Sequence, residues 1–345
     1  MSAQTVSRVA NGEPYVSEEK RQRVLLAMKD LGYRPNSAAR AMKRGEFKTI
    51  GVVFHSLHAV GDHATLEAIS GAAAELGYAI TLTPLEARTR RATDGAFTRL
   101  GEMTVDAIIV IIPSRLADGP TLPLPTGVPT VVLAPPMVPG AGSVDFDQEV
   151  GTREAVEHLI ALGHPTVHHI SGPVGSYSAE GRQNTWRTVL EERGCPVPPV
   201  VEGDWSPDSG YTAMKELLST AHPSAVFVAN DQMALGAFRA ILEAGLRVPE
   251  DISMVGFDNI DEAVAFPTPL TTVAQDWERV GREALSLTLE MLSGAAPRTV
   301  LVPTRLVVRG STGPGPGAPS QRRAIGTGGS GEQPVTGRVG ARSSG

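Results

Sequence analysis

Residues 225–259 read AVFVANDQMALGAFRAILEAGLRVPEDISMVGFDN, and this stretch decides the fold class. Its two ends, Ala225–Asn230 and Ile252–Asp258, are short and almost wholly apolar, which is typical of strands buried on both faces. Asp231–Ala244 lies between them and has apolar residues at helical spacing. A strand, a helix and a second strand in this order predict one unit of a parallel sheet covered by helices.

The same alternation extends over residues 49–312. Further strands are predicted at Thr49–Phe54, Ala79–Thr83, Asp106–Ile112, Thr130–Ala134 and Val167–Ser171. Further helices are predicted at Thr65–Leu76, Gly151–Leu162, Arg182–Arg193 and Ser209–Leu218. This number of strands, with the helices that connect them, is too large for one small sheet. We therefore predict an α/β core of two doubly wound parallel-sheet lobes. Ligands of such folds bind at the carboxyl ends of the strands, here between the lobes.

Composition excludes several classes of protein. The chain has 345 residues and 41% apolar residues, which is enough for a sizeable core. Its single cysteine cannot form an internal disulfide. No apolar run approaches the roughly 18–20 residues of a membrane span, and the first residues lack the apolar core of a signal peptide. We therefore expect a cytoplasmic chain with no membrane partner.

Charge is distributed unevenly along the chain. Residues 1–48 carry a net charge of +5, residues 313–345 carry +3, and the remainder carries −14. A basic start on an acidic body is typical of a nucleic-acid-binding arm, although a solvated helix face gives the same pattern.

The sequence shows no signature of catalysis. It contains no G-x-S-x-G elbow, P-loop or H-E-x-x-H motif. His168 and His169 would point to opposite faces of a strand, and Cys195 lies in a loop, so neither supports a metal site or a thiol nucleophile. We expect no enzyme activity and no cofactor.

The two termini differ from the core. Thr5–Gly12 predicts a short helix, and a second helix follows from the N-cap Ser17 to Leu31, with Gly32 as its stop signal. The second helix has an apolar stripe, made of Val24, Leu25, Met28 and Leu31. In residues 313–345, Gly, Pro and Ser fill 18 of 33 positions, which predicts a disordered tail.

Residues 2–312 resemble the LacI/GalR (lactose/galactose repressor) family of transcriptional regulators. The resemblance is carried by residues 225–259 together with TVSRVANG, YVSEEKRQRVLLAMKDLGYRPN, TIGVVF, GTREAVEHLIALGH, ISGPVGSYSAEGRQNTW, VEGDWSPDSGY and PLTTVAQDW. It implies a helix-turn-helix headpiece (1–35), a hinge helix and linker (36–48) and a periplasmic-binding-protein-like core (49–312). The implied N-lobe spans about 49–147 plus 278–301, and the C-lobe about 148–274 plus 303–312.

The resemblance also implies DNA contacts. Ala3, Gln4 and Arg8 match the base-reading positions of the family, and in the major groove Gln can pair with adenine and Arg with guanine. The remaining matches are Thr5, Ser7 and Asn11 at phosphates and Asn36, Ala39 and Met42 in the hinge, with Met42 as an apolar wedge in the minor groove.

One feature of the family is absent from the sequence, since the first helix of the headpiece has no counterpart. Two explanations stay open: a start placed too far downstream, or a chain without firm DNA binding.

For the ligand, the resemblance implies a planar cation, a carboxylate and an aromatic plate, which are Arg182, Asp258 and Trp205. Ser56, Phe146, Asn230 and Gln275 complete the predicted set. Plainer interpretations remain for several of these residues: Asn230 or Asp231 as a helix cap, Trp205, Phe146 and Trp277 as packing, Arg182 as a surface ion pair, and Asp258 as a cap.

The functional prediction is therefore a homodimeric DNA-binding regulator, by default a repressor. It would bind a pseudo-palindromic operator, with a small-molecule effector, a sugar or glycoside, between the lobes. The alternative is a cytoplasmic sugar sensor without firm DNA binding. Relief of repression by the ligand is the default, and corepression stays open.

Overall fold

The computed structural model describes residues 2–10, 14–33, 45–55, 60–85, 87–112, 114–117, 122, 124–134 and 138–316. Within these ranges the chain forms a helical headpiece and two α/β lobes. The predicted hinge helix, at 36–44, and residues 317–345 of the predicted tail lie outside the described residues. No helix of the described part is long and apolar enough to cross a membrane.

The headpiece consists of α1 (Ala3–Ala10) and α2 (Glu18–Asp30), which contact each other. Each helix buries one valine, Val9 in α1 and Val24 in α2. Of the predicted apolar stripe of α2, Val24 is buried and Met28 is half-buried, whereas Leu25 and Leu31 are exposed by 45% and 82%. A pair of short helices offers too little surface to cover the whole stripe.

The N-lobe is a six-stranded sheet in which all neighbouring strands are parallel. Its elements are β1 (Thr49–Phe54), α3 (Val60–Glu75), β2 (Ala79–Pro84), α4 (Arg90–Glu102), β3 (Ala107–Ile111), β4 (Thr130–Leu133) and β5 (Gly142–Phe146). Two elements return from the end of the chain, α9 (Trp277–Leu292) and β11 (Thr299–Val302). The strand order is β11-β5-β4-β3-β1-β2.

The C-lobe is a second six-stranded sheet, of order β12-β10-β9-β8-β6-β7. Its elements are α5 (Gln148–Ala161), β6 (His168–Ser171), α6 (Tyr177–Glu192), β7 (Val201–Glu202), α7 (Pro207–Thr220), β8 (Ala225–Val228), α8 (Asp231–Glu243), β9 (Ser253–Asp258), a 3₁₀ turn (Asp261–Val264), β10 (Thr271–Ala274) and β12 (Arg305–Val307). The edge strand β12 is antiparallel to β10, so this sheet is not parallel throughout.

Both sheets are covered on both faces, as their continuous apolar strands predict. In β1, Val52 belongs to one buried cluster and the next residue, Val53, to another. Consecutive side chains of a strand point to opposite faces, so buried apolar side chains lie on both faces of the sheet. This covering leaves the ends of the strands as the places where polar side chains can meet.

Helices α7 and α8 pack backbone against backbone. A Cβ atom added to Gly236 of α8 would lie 1.7 Å from the carbonyl oxygen of Pro207 at the start of α7. Gly210 of α7 approaches Met233 in the same way, at 2.1 Å from its carbonyl oxygen. The absence of a side chain at these two positions therefore allows the close approach of the two helices.

The predicted disordered tail is wrong for residues 313–316, which belong to the C-lobe. The amide of Gly313 donates to Ser253 Oγ at 3.0 Å, and that of Gly315 donates to the carbonyl of Leu162 at 2.8 Å. The imidazole of His164 lies 3.2 Å from the Gly313 carbonyl oxygen. Part-buried hydrogen bonds thus hold this glycine- and proline-rich segment against the C-lobe.

Candidate functional site

A cleft of about 400 Å³ lies between the two lobes. Several polar residues of its lining lie at the ends of strands. His55 follows β1 in the N-lobe, while Asn230, Asp258 and Gln275 lie at the ends of β8, β9 and β10 in the C-lobe. The carboxyl ends of both sheets therefore face the cleft, as expected for doubly wound folds.

Arg182 of α6 lies at the centre of the cleft wall and is 4% exposed. Its Nε donates to Gln148 Oε1 at 2.8 Å, and its Nη1 donates to the carbonyl of Ala229. Its guanidinium carbon lies 3.6 Å from the centroid of the Phe257 ring. The interpretation of Arg182 as a surface ion pair is wrong, because the side chain is buried and fixed by partners on several elements.

Asp258 ends β9 beside this arginine. Its Oδ1 lies 3.7 Å from Arg182 Nη1 and accepts a hydrogen bond from Gln275 Nε2 at 2.7 Å. Its backbone has φ +113°, a conformation that L side chains rarely adopt. Burial raises the pKa of Asp258 to about 6, although Arg182 lowers it. Arg182, Asp258 and Gln275 thus form one buried polar group, so the structure brings together three of the residues named from the family resemblance.

Trp205 forms an aromatic wall after β7. Its indole ring packs on Gly172, where a Cβ atom would come within 2.3 Å of the ring. Its ring centroid lies 5.7 Å from the guanidinium carbon of Arg182. Asn230 Nδ2 donates to the Trp205 carbonyl at 3.2 Å, and its Oδ1 caps α8 by accepting from the Met233 amide at 2.9 Å. Asn230 therefore lines the cleft and is also the helix cap of the plainer interpretation.

Phe146 and Trp277 form a second aromatic wall on the N-lobe side. Their rings are in edge-to-face contact, with centroids 4.6 Å apart. Both line the cleft and both belong to the core of the N-lobe. The two interpretations of these residues, as pocket wall and as core packing, are therefore compatible.

Several residues of the cleft were not predicted. Asp62 in the first turn of α3 is buried, and Asp145 lies in β5. Burial, and to a lesser degree the neighbouring Asp147, raise the pKa of Asp145 to about 7, against the lowering effects of the Phe146 amide and Arg182. The only signal in the sequence was an acidic residue within the apolar run GSVDF, which lacks the length of a clear strand.

Asp231, the first residue of α8, is fully buried behind the cleft. Its carboxylate accepts from Thr272 Oγ1 at 2.6 Å and from the Ile260 amide at 3.0 Å. Burial and the nearby Asp258 raise its pKa to about 8. These contacts join the start of α8 to β10 and to the segment after β9, next to Asp258 and Gln275.

The lobes also touch at the rim of the cleft. Arg115 of the N-lobe makes two hydrogen bonds to Glu180 of α6, at 2.7 and 3.2 Å, and its amide donates to the Gly175 carbonyl. Ser114 and Ser176 form an isolated β-bridge beside this pair. These contacts can form only while the two lobes are close together at this edge.

The headpiece places its predicted DNA-reading residues on α1. Gln4, Ser7 and Arg8 are exposed, and Thr5 is half-buried with its hydroxyl 3.0 Å from Ser2 Oγ. Ala3 begins the helix. The other predicted positions, Asn11, Asn36, Ala39 and Met42, and Ser56 of the cleft, lie outside the described residues. In the described part of the chain, no group of three or more His, Cys, Asp or Glu could hold a metal ion.

A helical headpiece before a two-lobed α/β core with a central cleft is the architecture of a ligand-responsive DNA-binding regulator. Residues 1–36 match the model of bacterial regulatory proteins of the lacI family, and residues 156–312 match a periplasmic binding protein-like domain. The lactose operon repressor of Escherichia coli (strain K12) is 36% identical over 315 residues, which cover 90% of this chain and 88% of the relative. The chain therefore belongs to the LacI family of bacterial regulatory proteins.

Solved structures agree with this assignment. A Lac repressor dimer bound to operator and the anti-inducer ONPF has a TM-score of 0.82 and 34% identity, covering 91% of this chain and 96% of the other. A complex of the transcriptional regulator CelR with cellobiose has a TM-score of 0.69 and 31% identity, covering 90% of this chain and 96% of the other.

Proposed function

We propose that this chain is a transcriptional repressor that binds a pseudo-palindromic operator as a homodimer, and that a sugar or glycoside in the cleft controls its operator affinity. The observation that carries the effector part is the buried group of Arg182, Asp258 and Gln275 beside the ring of Trp205. The relatives support the DNA part, since one is a lactose operon repressor and one was solved as a dimer on its operator.

The cleft has the chemistry that a sugar requires. Sugar hydroxyls both donate and accept hydrogen bonds, so they pair with a planar cation and with a carboxylate. The apolar face of a sugar ring packs on an aromatic ring, and Trp205 and Trp277 supply such rings on opposite lobes. The similarity to a regulator solved with cellobiose favours the same class of effector here.

Ligand binding would act through the relative position of the lobes. The cleft is lined from both lobes, and the N-lobe follows the headpiece along the chain. A ligand that prefers one arrangement of the lobes shifts the population toward it, and only as far as its affinities for the two states differ. The orientation of two headpieces in a dimer would change with it, and operator affinity would change in turn.

On the DNA, Gln4 and Arg8 would read bases, with Thr5 and Ser7 at phosphates. We also propose the remaining roles that the family resemblance implies. These are base reading by Ala3, a phosphate contact by Asn11, and hinge contacts by Asn36, Ala39 and Met42.

The test measures binding of the full chain to the DNA upstream of its own gene, by fluorescence anisotropy at one stated salt concentration. Specific binding that a sugar alters supports the proposal. Arg182→Ala should abolish the sugar response, whereas Arg187→Ala, on the exposed side of the same helix, should leave it intact.

Two results would contradict the proposal. If sugars raise the melting temperature but the chain binds no DNA specifically, it is a sugar sensor and not a repressor. If purines alter DNA binding and no sugar does, the class of effector is wrong.

A further inference from the structure

In the described part of the chain, three crossovers join the two lobes, and all of them lie toward one edge of the sheets. The chain passes from β5 to α5, from β10 to α9 and from β11 to β12. Strands β11 and β5 are the first two of the N-lobe sheet, and β12 and β10 are the first two of the C-lobe sheet. The covalent connections therefore hold the lobes together at this edge, and closure of the rest of the cleft depends on noncovalent contacts.

A set of such contacts lies further along both sheets. It joins residues 114–117, which follow β3 in the N-lobe, to residues 175–180, which follow β6 in the C-lobe, and we call it the rim latch. Counted from the crossover edge, β3 is the fourth strand of its sheet and β6 is the fifth. The guanidinium of Arg115 donates to both carboxylate oxygens of Glu180, at 2.7 and 3.2 Å, and the Arg115 amide donates to the Gly175 carbonyl at 2.9 Å.

The rim latch is anchored on both sides. On the N-lobe side, Leu116 packs on a buried apolar cluster of that lobe, and the Ala117 amide donates to the Arg88 carbonyl at 2.8 Å. Tyr177 is the first residue of α6 in the C-lobe, yet its side chain packs on the same N-lobe cluster. The guanidinium carbon of Arg115 lies 5.3 Å from the centroid of the Tyr177 ring. The latch thus combines an ion pair with an apolar contact between the lobes.

The rim latch adjoins the group that is proposed to bind the effector. Glu180 precedes Arg182 by two residues on α6, and Tyr177 lines the cleft together with Arg182. A ligand that touches both walls binds only while the lobes are closed. Its observed affinity is reduced by the fraction of molecules in the closed state, so contacts that raise this fraction also raise the affinity.

We propose that the rim latch holds the lobes closed before the effector binds, so that Arg115, Glu180 and Tyr177 are positioning residues of the effector site. The inference rests on the proposed function, since it names residues that control the affinity of the same site. An exposed ion pair changes an equilibrium by up to about fivefold and is screened by salt, whereas the contact of Tyr177 is apolar. The competing explanation is that the latch only follows closure and contributes nothing to it.

The first experiment needs no sugar, because tryptophans of the chain report closure of the cleft. Trp205 and Trp277 line the cleft from opposite lobes and are half-buried. Trp186, the third tryptophan of the sequence, is fully buried in the C-lobe. Quenching of the fluorescence by acrylamide, an uncharged molecule, is measured at low and at high salt. Opening of the lobes exposes the two cleft tryptophans and raises the quenching constant.

The variants assign the effect to the rim latch. Arg115→Glu places two carboxylates side by side and should raise quenching at low salt. Adding Glu180→Arg restores the pair with exchanged charges and should return quenching toward the wild-type value. Tyr177→Ala should raise quenching at low and high salt alike. Arg187→Glu reverses the charge of an exposed arginine on the same helix and should leave quenching unchanged. The melting temperature, followed by circular dichroism, checks that each variant is folded.

The second experiment measures effector affinity. The wild-type chain and the same variants are titrated with lactose, cellobiose, glucose and galactose by calorimetry at low salt. For a sugar that binds the wild-type chain, Arg115→Glu should weaken binding about two- to fivefold, and adding Glu180→Arg should restore it.

The outcomes separate the two proposals. If Arg115→Glu leaves quenching and sugar affinity unchanged, or if Glu180→Arg restores neither, the inference is overturned and the proposed function stands. If quenching changes as expected but no sugar binds the wild-type chain, the proposed function fails and the inference is upheld only for closure of the lobes.

Discussion

Replacing Arg182 by alanine should destabilise the C-lobe as well as abolish the sugar response. The side chain is 4% exposed and lies 3.7 Å from Asp258, itself 7% exposed. Removing one partner of a buried ion pair leaves an uncompensated charge, which costs about 3–5 kcal/mol of unfolding free energy. The variant also loses the hydrogen bonds to Gln148 and to the Ala229 carbonyl.

The loss should depend on pH. Burial already places the pKa of Asp258 at about 6, and Arg182 acts to lower it, so the variant raises this pKa further. A carboxyl group whose pKa is raised by folding is stabilised in the folded protein below its unfolded pKa, and this advantage disappears as the pH rises through its folded pKa. The deficit of Arg182→Ala should therefore be larger at pH 8 than at pH 5, where Asp258 is protonated.

Urea denaturation followed by circular dichroism, at pH 5 and pH 8, measures both effects. Arg187→Ala is the matched control, since this exposed arginine lies on the same helix. Adding Asp258→Asn to Arg182→Ala removes the unpaired charge and should recover part of the stability at pH 8. The reasoning is refuted if Arg182→Ala loses less than about 1 kcal/mol at pH 8, or if its deficit is the same at both pH values.

Three further predictions concern other parts of the molecule. Gln4→Ala should relax the base preference at one operator position by about 1–3 kcal/mol, measured by competition with single-base operator variants; an unchanged preference would remove Gln4 from the readout. Gly236→Ala should cost about 3 kcal/mol or more in urea denaturation, because the new Cβ would meet the Pro207 carbonyl at 1.7 Å; a loss below about 1 kcal/mol would show that α7 and α8 can separate. Arg115→Ala should weaken sugar binding a few-fold at low salt and less at high salt, since the pair with Glu180 is exposed and screened; an effect independent of salt would contradict an electrostatic rim contact.

The spacing of apolar residues in the sequence was sufficient to predict the strands and helices that have long apolar runs. The predicted strand Ile252–Asp258 and helix Asp231–Ala244 agree with β9 and α8 to within one residue at each end. Strand β5 and helix α9 were not predicted. The strand is only five residues long and carries a polar Ser143 and Asp145, so it has too little apolar character to be distinguished from a loop.

The residues of the cleft also divide into some that the sequence could identify and some that it could not. Arg182, Trp205 and Asp258 could be named beforehand because the family resemblance gave their roles, and Asp258 also ends a recognisable strand. Asp62 and Asp145 could not be named, because each enters the cleft only through the packing of the N-lobe sheet and its helices.

The sequence by itself determined the headpiece and the site residues only through the family resemblance, but it determined the alternation of strands and helices and the two parallel-sheet lobes directly. These follow from contacts within one helical turn or one strand, which local patterns record. Only the tertiary structure decided that β11 pairs with β5 in the N-lobe, that His164 holds residue 313 against the C-lobe, and that Asp145 faces the cleft. Each of these depends on pairing between distant segments, which the local spacing of apolar residues does not specify.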